Sequence, residues 1–242
     1  MTAALPTAAR PTAGPELISD ELALLHRLVP LHAQRIIELG CGAAGLSRRL
    51  LQTYPGCRVQ ALEVDAIQHA KNLAAPPTPG LHFVAAGAQA IPAEDASFEL
   101  ALMLKSLHHV PQALMDQSLA EACRVLRPGG HLYVSEPVFD GPLNEVVRLF
   151  NDEQQVRLHA IAALQRALAQ GGWQQVAELR FAMPARYANF DEFERRMTHV
   201  TFAERRFDDA LRERVRERFE ALRPPGGAPF LRPMRVNLLQ KI

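Results

Sequence analysis

A short segment near residue 40 places glycines and one carboxylate at spacings that suit a nucleotide-containing ligand. Residues 40–45 carry the pattern G-x-G-x-x-G after an apolar run, and a helix-like stretch follows at 46–54. Glycine lets a backbone turn tightly and approach a ligand closely, although this pattern alone is a weak signal. Glu38 stands two residues before the first glycine, where a carboxylate repels a pyrophosphate and suits an ammonium group. The segment therefore favours a ligand that is part nucleoside and part amino acid over NAD.

The composition restricts the classes of protein to which the chain can belong. Its 242 residues suffice for one α/β domain with a sizeable core and an inserted cap. The net charge of +1 gives no electrostatic reason to expect a nucleic-acid partner. The cysteines Cys41, Cys57 and Cys123 are widely spaced and odd in number, which favours a reducing compartment. Since no apolar run approaches transmembrane length and the start lacks a signal segment, we expect a cytoplasmic protein whose residues 1–14 form a disordered leader.

Strands and helices are predicted to alternate through the first half of the chain. The predicted strands are 35–39, 58–63, 81–85, 98–104 and 131–135, and the predicted helices are 16–29, 46–54, 66–75 and 112–126. This alternation indicates βαβ units and a parallel sheet.

Beyond Pro137 the pattern becomes mainly helical. Residues 143–170 are predicted to be helical almost throughout, 173–181 to be a strand, 190–199 and 208–222 to be charged helices, and 234–242 to be a closing strand. We expect a single domain over residues 15–242, with a core at 30–140 and helical additions at about 141–170 and 188–223 that cover the ligand site. The charged stretch 205–218 is predicted to be a solvated helix face.

Five motifs in order make the chain resemble the class I S-adenosylmethionine-dependent methyltransferases over residues 36–136. They are Ile36-Ile37-Glu38-Leu39-Gly40-Cys41-Gly42, Ala61-Leu62-Glu63-Val64-Asp65, Ile91-Pro92 with Asp95-Ala96-Ser97-Phe98-Glu99-Leu100, Leu107-His108-His109-Val110-Pro111, and Leu126-Arg127-Pro128-Gly129-Gly130. The resemblance implies a doubly wound, Rossmann-like, mostly parallel sheet with an antiparallel last strand and helical cap insertions. It also implies S-adenosylmethionine bound across the carboxyl ends of the strands.

The same resemblance assigns cofactor roles to the glycine loop. Glu38 is expected to meet the methionine ammonium group, directly or through water, and the alternative is a Glu that braces the loop amides. Gly40 and Gly42 are expected to give the close backbone approach. Cys41, between them, is expected to be a small loop residue and not a nucleophile, because a reactive thiol needs a lowered pKa.

Two acids near the end of the second strand compete for the ribose. Glu63 lies 23 positions after Gly40 and is expected to accept hydrogen bonds from both ribose hydroxyls, with Val64 beside it in the cofactor-binding set. Asp65 is the competing acid. The alignment of the following helix favours Glu63 and leaves Asp65 as the cap of the helix that begins at Ala66.

The adenine end departs from the family pattern. The family commonly has an acidic residue after the third strand, and the aligned position here is Gly87. Gly87 and Ala88 are nevertheless placed in the cofactor-binding set, with the Ala88 amide meeting the ring, and Gln89 is expected to compensate in part.

The segment after the fourth strand is expected to lie beside the transferring methyl group. His108 and Glu136 are the predicted catalytic residues, each a candidate general base with a packed or loop-bracing role as the alternative. Lys105 is placed in the cofactor-binding set, where it would bind the carboxylate of the cofactor. The alternatives are that it binds an anionic acceptor or that it is a solvated lysine at a strand end. Tyr187 and His199 are candidates to enter the site from the cap.

The substrate class follows mainly from what the sequence lacks. It has no Asn- or Asp-Pro-Pro-aromatic motif of base- or glutamine-methylating enzymes, and no H-x-x-x-H or carboxylate pair for a metal. We predict methyl transfer from S-adenosylmethionine to a small oxygen, sulfur or carbon acceptor of anionic character, with no metal, nucleic acid or membrane partner. Homodimer contacts through the cap stay open. The alternatives are a non-catalytic S-adenosylmethionine-binding protein and, disfavoured by Glu38, an NAD-dependent oxidoreductase.

Overall fold

The computed structural model describes residues 15–198 and 207–242, so the predicted leader at 1–14 lies outside them. The strands are β1 (Glu16–Leu17), β2 (Arg35–Leu39), β3 (Arg58–Leu62), β4 (Leu81–Val84), β5 (Phe98–Leu104), β6 (Leu126–Pro137), β7 (Trp173–Ala185) and β8 (Phe230–Lys241). The helices are α1 (Glu21–Leu28), α2 (Gly45–Thr53), α3 (Ala66–Ala74), α4 (Met115–Val125), α5 (Pro142–Val147), α6 (Gln154–Ala169), α7 (Phe190–Thr198) and α8 (Asp209–Leu222).

These strands form one sheet of order β1-β7-β8-β6-β5-β2-β3-β4. From β2 the chain winds outwards through β3 and β4 and then returns to β5 and β6, all in parallel pairs. β8 runs antiparallel between β6 and β7. The predicted α/β class, with its mostly parallel sheet and antiparallel last strand, is confirmed. The strand order reverses between β2 and β5, and ligands of open α/β sheets bind outside such a switch point.

Both faces of the sheet are covered by apolar helix faces. On one face α4 and α6 bury residues such as Leu119 and Leu164 against the strands. On the other face α1 and α2 bury Leu25 and Leu50 beside Ile36. Strands buried on both sides are continuous apolar runs, which is why the sequence pattern identified them. Among the described residues, no helix is both long enough and apolar enough to cross a membrane.

Several element boundaries differ from the sequence-based prediction; β6 and β8, for example, begin five and four residues before the predicted strands, at Leu126 and Phe230. The predicted helix at 16–29 begins only at Glu21, where Asp20 caps α1 by accepting from the Leu22 and Ala23 amides. Its first residues instead form β1, which pairs with β7. The predicted helix at 143–170 is divided into α5 and α6, and β7 extends four residues further than the predicted strand, to Ala185.

The cap has an aromatic core of its own. Residues of α5, α7, α8 and the start of β8 bury one another, among them Val146, Phe193, Phe219 and Phe230. Tyr187 packs edge-on against Phe193 inside this cluster, so it is part of the cap core and not a group that lines the site. The predicted contribution of His199 lies outside the described residues.

Candidate functional site

A cleft of about 470 Å³ opens at the carboxyl ends of the central strands, and we call it the cofactor cleft. Most of the residues predicted to bind a cofactor line it, namely Gly40, Gly42, Glu63, Val64, Gly87, Ala88 and Lys105. They come from the ends of β2, β3, β4 and β5, which meet at one edge because the strands are parallel. Glu38 lies behind the loop, 2% exposed.

The backbone amides of the glycine loop are already hydrogen-bonded to the neighbouring strand. The amides of Gly40 and Cys41 both donate to the Leu62 carbonyl, at 3.0 and 2.9 Å. The Gly42 amide donates to Glu63 Oε2 at 2.7 Å. A dinucleotide loop binds pyrophosphate through such amides. In this loop these three amides are therefore not available to a pyrophosphate.

Gly40 is held against the end of β5. Its φ of +75° lies in the left-handed region, and a Cβ built there would lie 2.8 Å from the Ser106 Cβ. The Ser106 hydroxyl donates to the Leu39 carbonyl at 2.6 Å, which fixes it in this place. Any side chain at Gly40 would therefore push the loop off β5 and narrow the cleft.

Glu38 is a buried carboxylate whose charge lacks a direct cationic partner among the described residues. Ser47 donates to its Oε2. Burial raises the pKa of Glu38 to about 7, although the Ser47 hydrogen bond and the charge of Lys105 oppose this. Burial also raises the pKa of the Cys41 thiol, and the negative charges of Glu38 and Glu63 raise it further. Cys41 therefore lacks the lowered pKa of a nucleophile.

The two acids after β3 have different partners. Glu63 bridges the loop and the strand end, because its second oxygen, Oε1, accepts from the Asp65 amide at 2.9 Å. Asp65 caps α3 by accepting from the Ile67 and Gln68 amides. The capping role predicted for Asp65 is thus observed. Glu63, Asp65 and Val64, which is 71% exposed, all line the cleft.

We expect Glu63→Ala to weaken S-adenosylmethionine binding by about 1–3 kcal/mol, the range for a lost hydrogen bond to a charged group. Asp65→Ala is the matched control, because it should lower the free energy of unfolding by about 1 kcal/mol through the lost cap and leave affinity nearly unchanged. Calorimetry on both variants measures this. A larger affinity loss in Asp65→Ala than in Glu63→Ala would reverse the assignment.

Gly87, Ala88 and Gln89 line the part of the cleft that follows β4. A Cβ at Gly87 would collide with the side-chain amide of Gln89. The Gln89 amide therefore lies against Gly87, the position at which the family resemblance leads us to expect an acid. The Ala90 amide donates to the Gly87 carbonyl at 3.2 Å and closes this turn.

Lys105 is a partly exposed lysine that is held in an ion pair. Its Nζ donates to Glu21 Oε2 of α1 at 2.6 Å, and the two side chains are 31% and 7% exposed. Lys105 also adopts a left-handed φ of +58°. Sequence reasoning missed Glu21, although one signal was present. Glu21 lies on the same helical face as the buried Leu24 and Leu25, and an acid there needs a partner.

A second pocket of about 170 Å³ adjoins the cofactor cleft, and we call it the acceptor pocket. Lys105 and His109 line both cavities, and residues of α5 and of the turn after β6 complete the wall. Because the shared residues stand at the end of β5, a molecule in the acceptor pocket would lie next to one in the cofactor cleft.

The two predicted catalytic residues are in direct contact beside this pocket. His108 Nδ1 is hydrogen-bonded to Glu136 Oε2, and Glu136 Oε1 accepts from the Leu107 amide at 2.9 Å. The second ring nitrogen of His108 lies 3.7 Å from Glu153, whose other partner is Arg157 at 2.6 Å. Burial by itself would raise the pKa of Glu153, but the nearby His108 and Arg157 hold that pKa below its ordinary value. Glu136 thus fixes the orientation of the imidazole.

Sequence spacing could not show that Glu153 and Arg157 join this cluster, since they lie more than 40 residues after His108. His108, His109 and Glu153 bring potential ligand atoms within 4.8 Å of one another. The sequence-based expectation of no metal site used only local spacing, which does not detect such a grouping. Arg157 already supplies a positive charge to Glu153.

Comparison with known proteins agrees with this geometry. Residues 36–130 match the model of a methyltransferase domain family. Over 125 residues the chain is 34% identical to phthiotriol/phenolphthiotriol dimycocerosates methyltransferase 1 of Mycobacterium ulcerans, covering 48% of this chain and 44% of that protein. It is 32% identical over 119 residues to a fatty-acid O-methyltransferase of Mycolicibacterium smegmatis, covering 46% and 41%. The aligned part is thus less than half the length of either curated relative.

The fold extends beyond the matched residues. The YcgJ protein of Bacillus subtilis aligns with 90% of this chain and 96% of its own, with a TM-score of 0.61 and 16% identity. The sheet and its ligand cleft define a Rossmann-like α/β protein. Within that class, residues 36–130 are similar to methyltransferase domains.

Proposed function

We propose that the chain binds S-adenosylmethionine in the cofactor cleft and transfers its methyl group to a small molecule in the acceptor pocket. The observation that carries this proposal is the state of the glycine loop. Its first amides donate hydrogen bonds to Leu62 and Glu63. A ligand would therefore meet a carboxylate and a closely approaching backbone, where a dinucleotide site would present free amides.

The charges of the cleft support a ligand with positive groups. Burial raises the pKa of Glu38, the charge of Lys105 opposes this, and the charges of Glu21 and Glu63 add to it. S-adenosylmethionine carries an ammonium group and a sulfonium group, and such groups would stabilise an ionised Glu38. A pyrophosphate would add negative charge instead. The residues present therefore fit the proposed cofactor better than NAD.

When bound, the cofactor would supply a methyl group on a positively charged sulfur, which is displaced in line by the acceptor. The protein would then hold the acceptor in position and take up its proton. His108 is the candidate base, because Glu136 holds one ring nitrogen and leaves the other toward Glu153 and the acceptor pocket. Lys105 and its partner Glu21 would fix the wall between the two cavities.

Calorimetry with S-adenosylmethionine and with NADH tests the cofactor, and release of S-adenosylhomocysteine in the presence of candidate acceptors tests turnover. The names of the two relatives suggest hydroxyl- or carboxyl-bearing lipid-like acceptors as the first compounds to try. NADH binding without S-adenosylmethionine binding would overturn the proposal. S-adenosylmethionine binding with no turnover on any acceptor would favour the non-catalytic alternative.

The raised pKa of Glu38 gives the proposal a pH dependence. Without ligand, burial disfavours ionised Glu38, so its contribution to folding stability falls as pH rises from 4.5 to about 7. A bound ammonium reverses this preference. We therefore expect S-adenosylmethionine affinity to fall about tenfold for each pH unit below 7, with proton release on binding.

Calorimetry in two buffers of different ionisation enthalpy measures that proton release. Glu38→Gln is the control, because it removes this titration and leaves only that of the ligand's amino group, near pH 8. An unchanged pH dependence in Glu38→Gln would assign the effect to the ligand alone and remove Glu38 from the proposed ammonium site.

A further inference from the structure

A small cavity beneath α6 is lined by three arginines, and we call it the arginine cavity. Its volume is about 80 Å³, and Arg157 of α6, Arg180 of β7 and Arg235 of β8 line it together with Glu136. It adjoins the acceptor pocket, because the turn after β6 and Arg157 line both.

The strand register places like charges directly opposite each other. Arg235 pairs with Arg180 on one side and with Glu136 on the other. Like charges in such cross-strand positions are destabilising. Glu136 already accepts from the Leu107 amide and bonds His108. Glu153 pairs with Arg157 at 2.6 Å and Glu178 lies 3.9 Å from Arg180, so among the described residues Arg235 is the arginine of this cavity that has no ion-pair partner within 4 Å.

Two of the arginines have buried donors with no acceptor. The Nε–H groups of Arg157 and Arg235 are both buried, and neither has a hydrogen-bond partner within the described parts of the chain. Arg235 is only 8% exposed. Burial lowers its pKa, with the charge of Glu178 opposing this and that of Arg180 adding to it. Buried guanidinium donors without partners are costly, so this arrangement suits an acceptor from outside the chain.

We propose that the arginine cavity binds a compact oxyanion, a carboxylate or phosphate group. The planar guanidinium matches both groups by paired hydrogen bonds. The oxyanion would be either the charged end of the methyl acceptor or a separate anion. The methyl acceptor as the source rests on the proposed function. The anion site itself does not, because it is tested by anion binding and not by methyl transfer.

Inorganic phosphate is the first probe, titrated against sodium chloride of equal ionic strength. We expect phosphate to raise the melting temperature of the wild-type chain. Arg235→Met should weaken phosphate binding at least about tenfold, as the loss of charged hydrogen bonds predicts. Arg58→Met, an exposed arginine of β3, is the charge-matched control and should respond like the wild type.

The anion-free melting temperature separates a binding role from a structural one. If Arg235 is an unpaired buried charge, Arg235→Met should melt at a higher temperature than the wild type. A lower one would indicate a structural arginine and overturn the proposal, as would equal phosphate responses in both proteins. Should Arg235→Met fail to fold, Arg180→Gln decides in its place, because the Arg180 side chain is 69% exposed.

Acetate and decanoate then distinguish the two sources. Decanoate binding more tightly than acetate, with both lost in the Arg235 variant, supports the anionic end of an acceptor whose chain occupies the adjoining pocket. Equal binding of the two, again lost in the variant, supports a separate small anion. Equal binding of phosphate, acetate and decanoate to wild type and variant would overturn the site.

Discussion

Replacing Gly40 with aspartate should abolish S-adenosylmethionine binding. The reason is steric before it is electrostatic, because a Cβ at Gly40 would lie 2.8 Å from the Ser106 Cβ at a φ of +75°. Ser106 cannot yield freely while its hydroxyl donates to the Leu39 carbonyl. The loop would move away from β5, and the added carboxylate would enter the cleft. Calorimetry should show no heat of binding for Gly40→Asp.

Two further variants separate this effect from general misfolding. Gly129→Asp imposes a similar φ of +76° near the start of β6, where a Cβ meets nothing within 4 Å, so it matches the backbone strain and should leave binding intact. Gly42→Asp should also abolish binding while the chain stays folded, since a Cβ there meets nothing within 4 Å and Asp tolerates the left-handed region. Normal affinity in Gly40→Asp would contradict the assigned cleft.

Replacing His108 with asparagine should lower kcat by about 10²-fold or more, the usual range for loss of a general base. Glu136→Gln should produce a loss of the same kind, because it removes the carboxylate that orients the ring. S-adenosylmethionine affinity should change little in either variant. Single-turnover rates and binding constants, measured separately, give this comparison.

The matched control is His131→Asn, at the opposite end of the sheet in the pairing of β5 with β6. It should keep wild-type kcat. If the His108 variant keeps its rate over the whole pH range and loses only stability, the imidazole is a packed, hydrogen-bonded group, and proton uptake belongs elsewhere. An acceptor that carries no proton to lose would also make the rate insensitive to His108, so an acceptor with an ionisable hydroxyl is the one to use.

The sequence predicted the sheet well for a physical reason. Strands such as β2 and β5 are buried on both faces and appear as continuous apolar runs, and the turns between them are marked by glycine and proline. β1 gave no such signal, because a strand of two residues has no periodicity. The division between α5 and α6 is marked in the sequence only by Asn151 and Asp152, residue types that favour helix ends over helix interiors.

The candidate site was predictable only where its chemistry is local. Glu38 and Glu63 are tied to a glycine loop and to a strand end, so their positions follow from the order of the motifs. The partner of Lys105 lies 84 residues away in α1. Arg157 and Arg235 meet only because α6 covers the face on which β8 pairs with β6. Pairings of this kind depend on tertiary packing, which no spacing rule contains.

The ion pair between Glu21 and Lys105 joins the matched domain to a segment that lies outside it. Lys105 lies within the matched domain at residues 36–130, whereas Glu21 lies before it. Glu136, Glu153 and Arg157, which surround His108, lie after it. All the residues that line the cofactor cleft therefore lie within the domain, whereas most of those that line the acceptor pocket lie after it. A substitution after the domain would thus change the lining of the acceptor pocket and leave the lining of the cofactor cleft as it is.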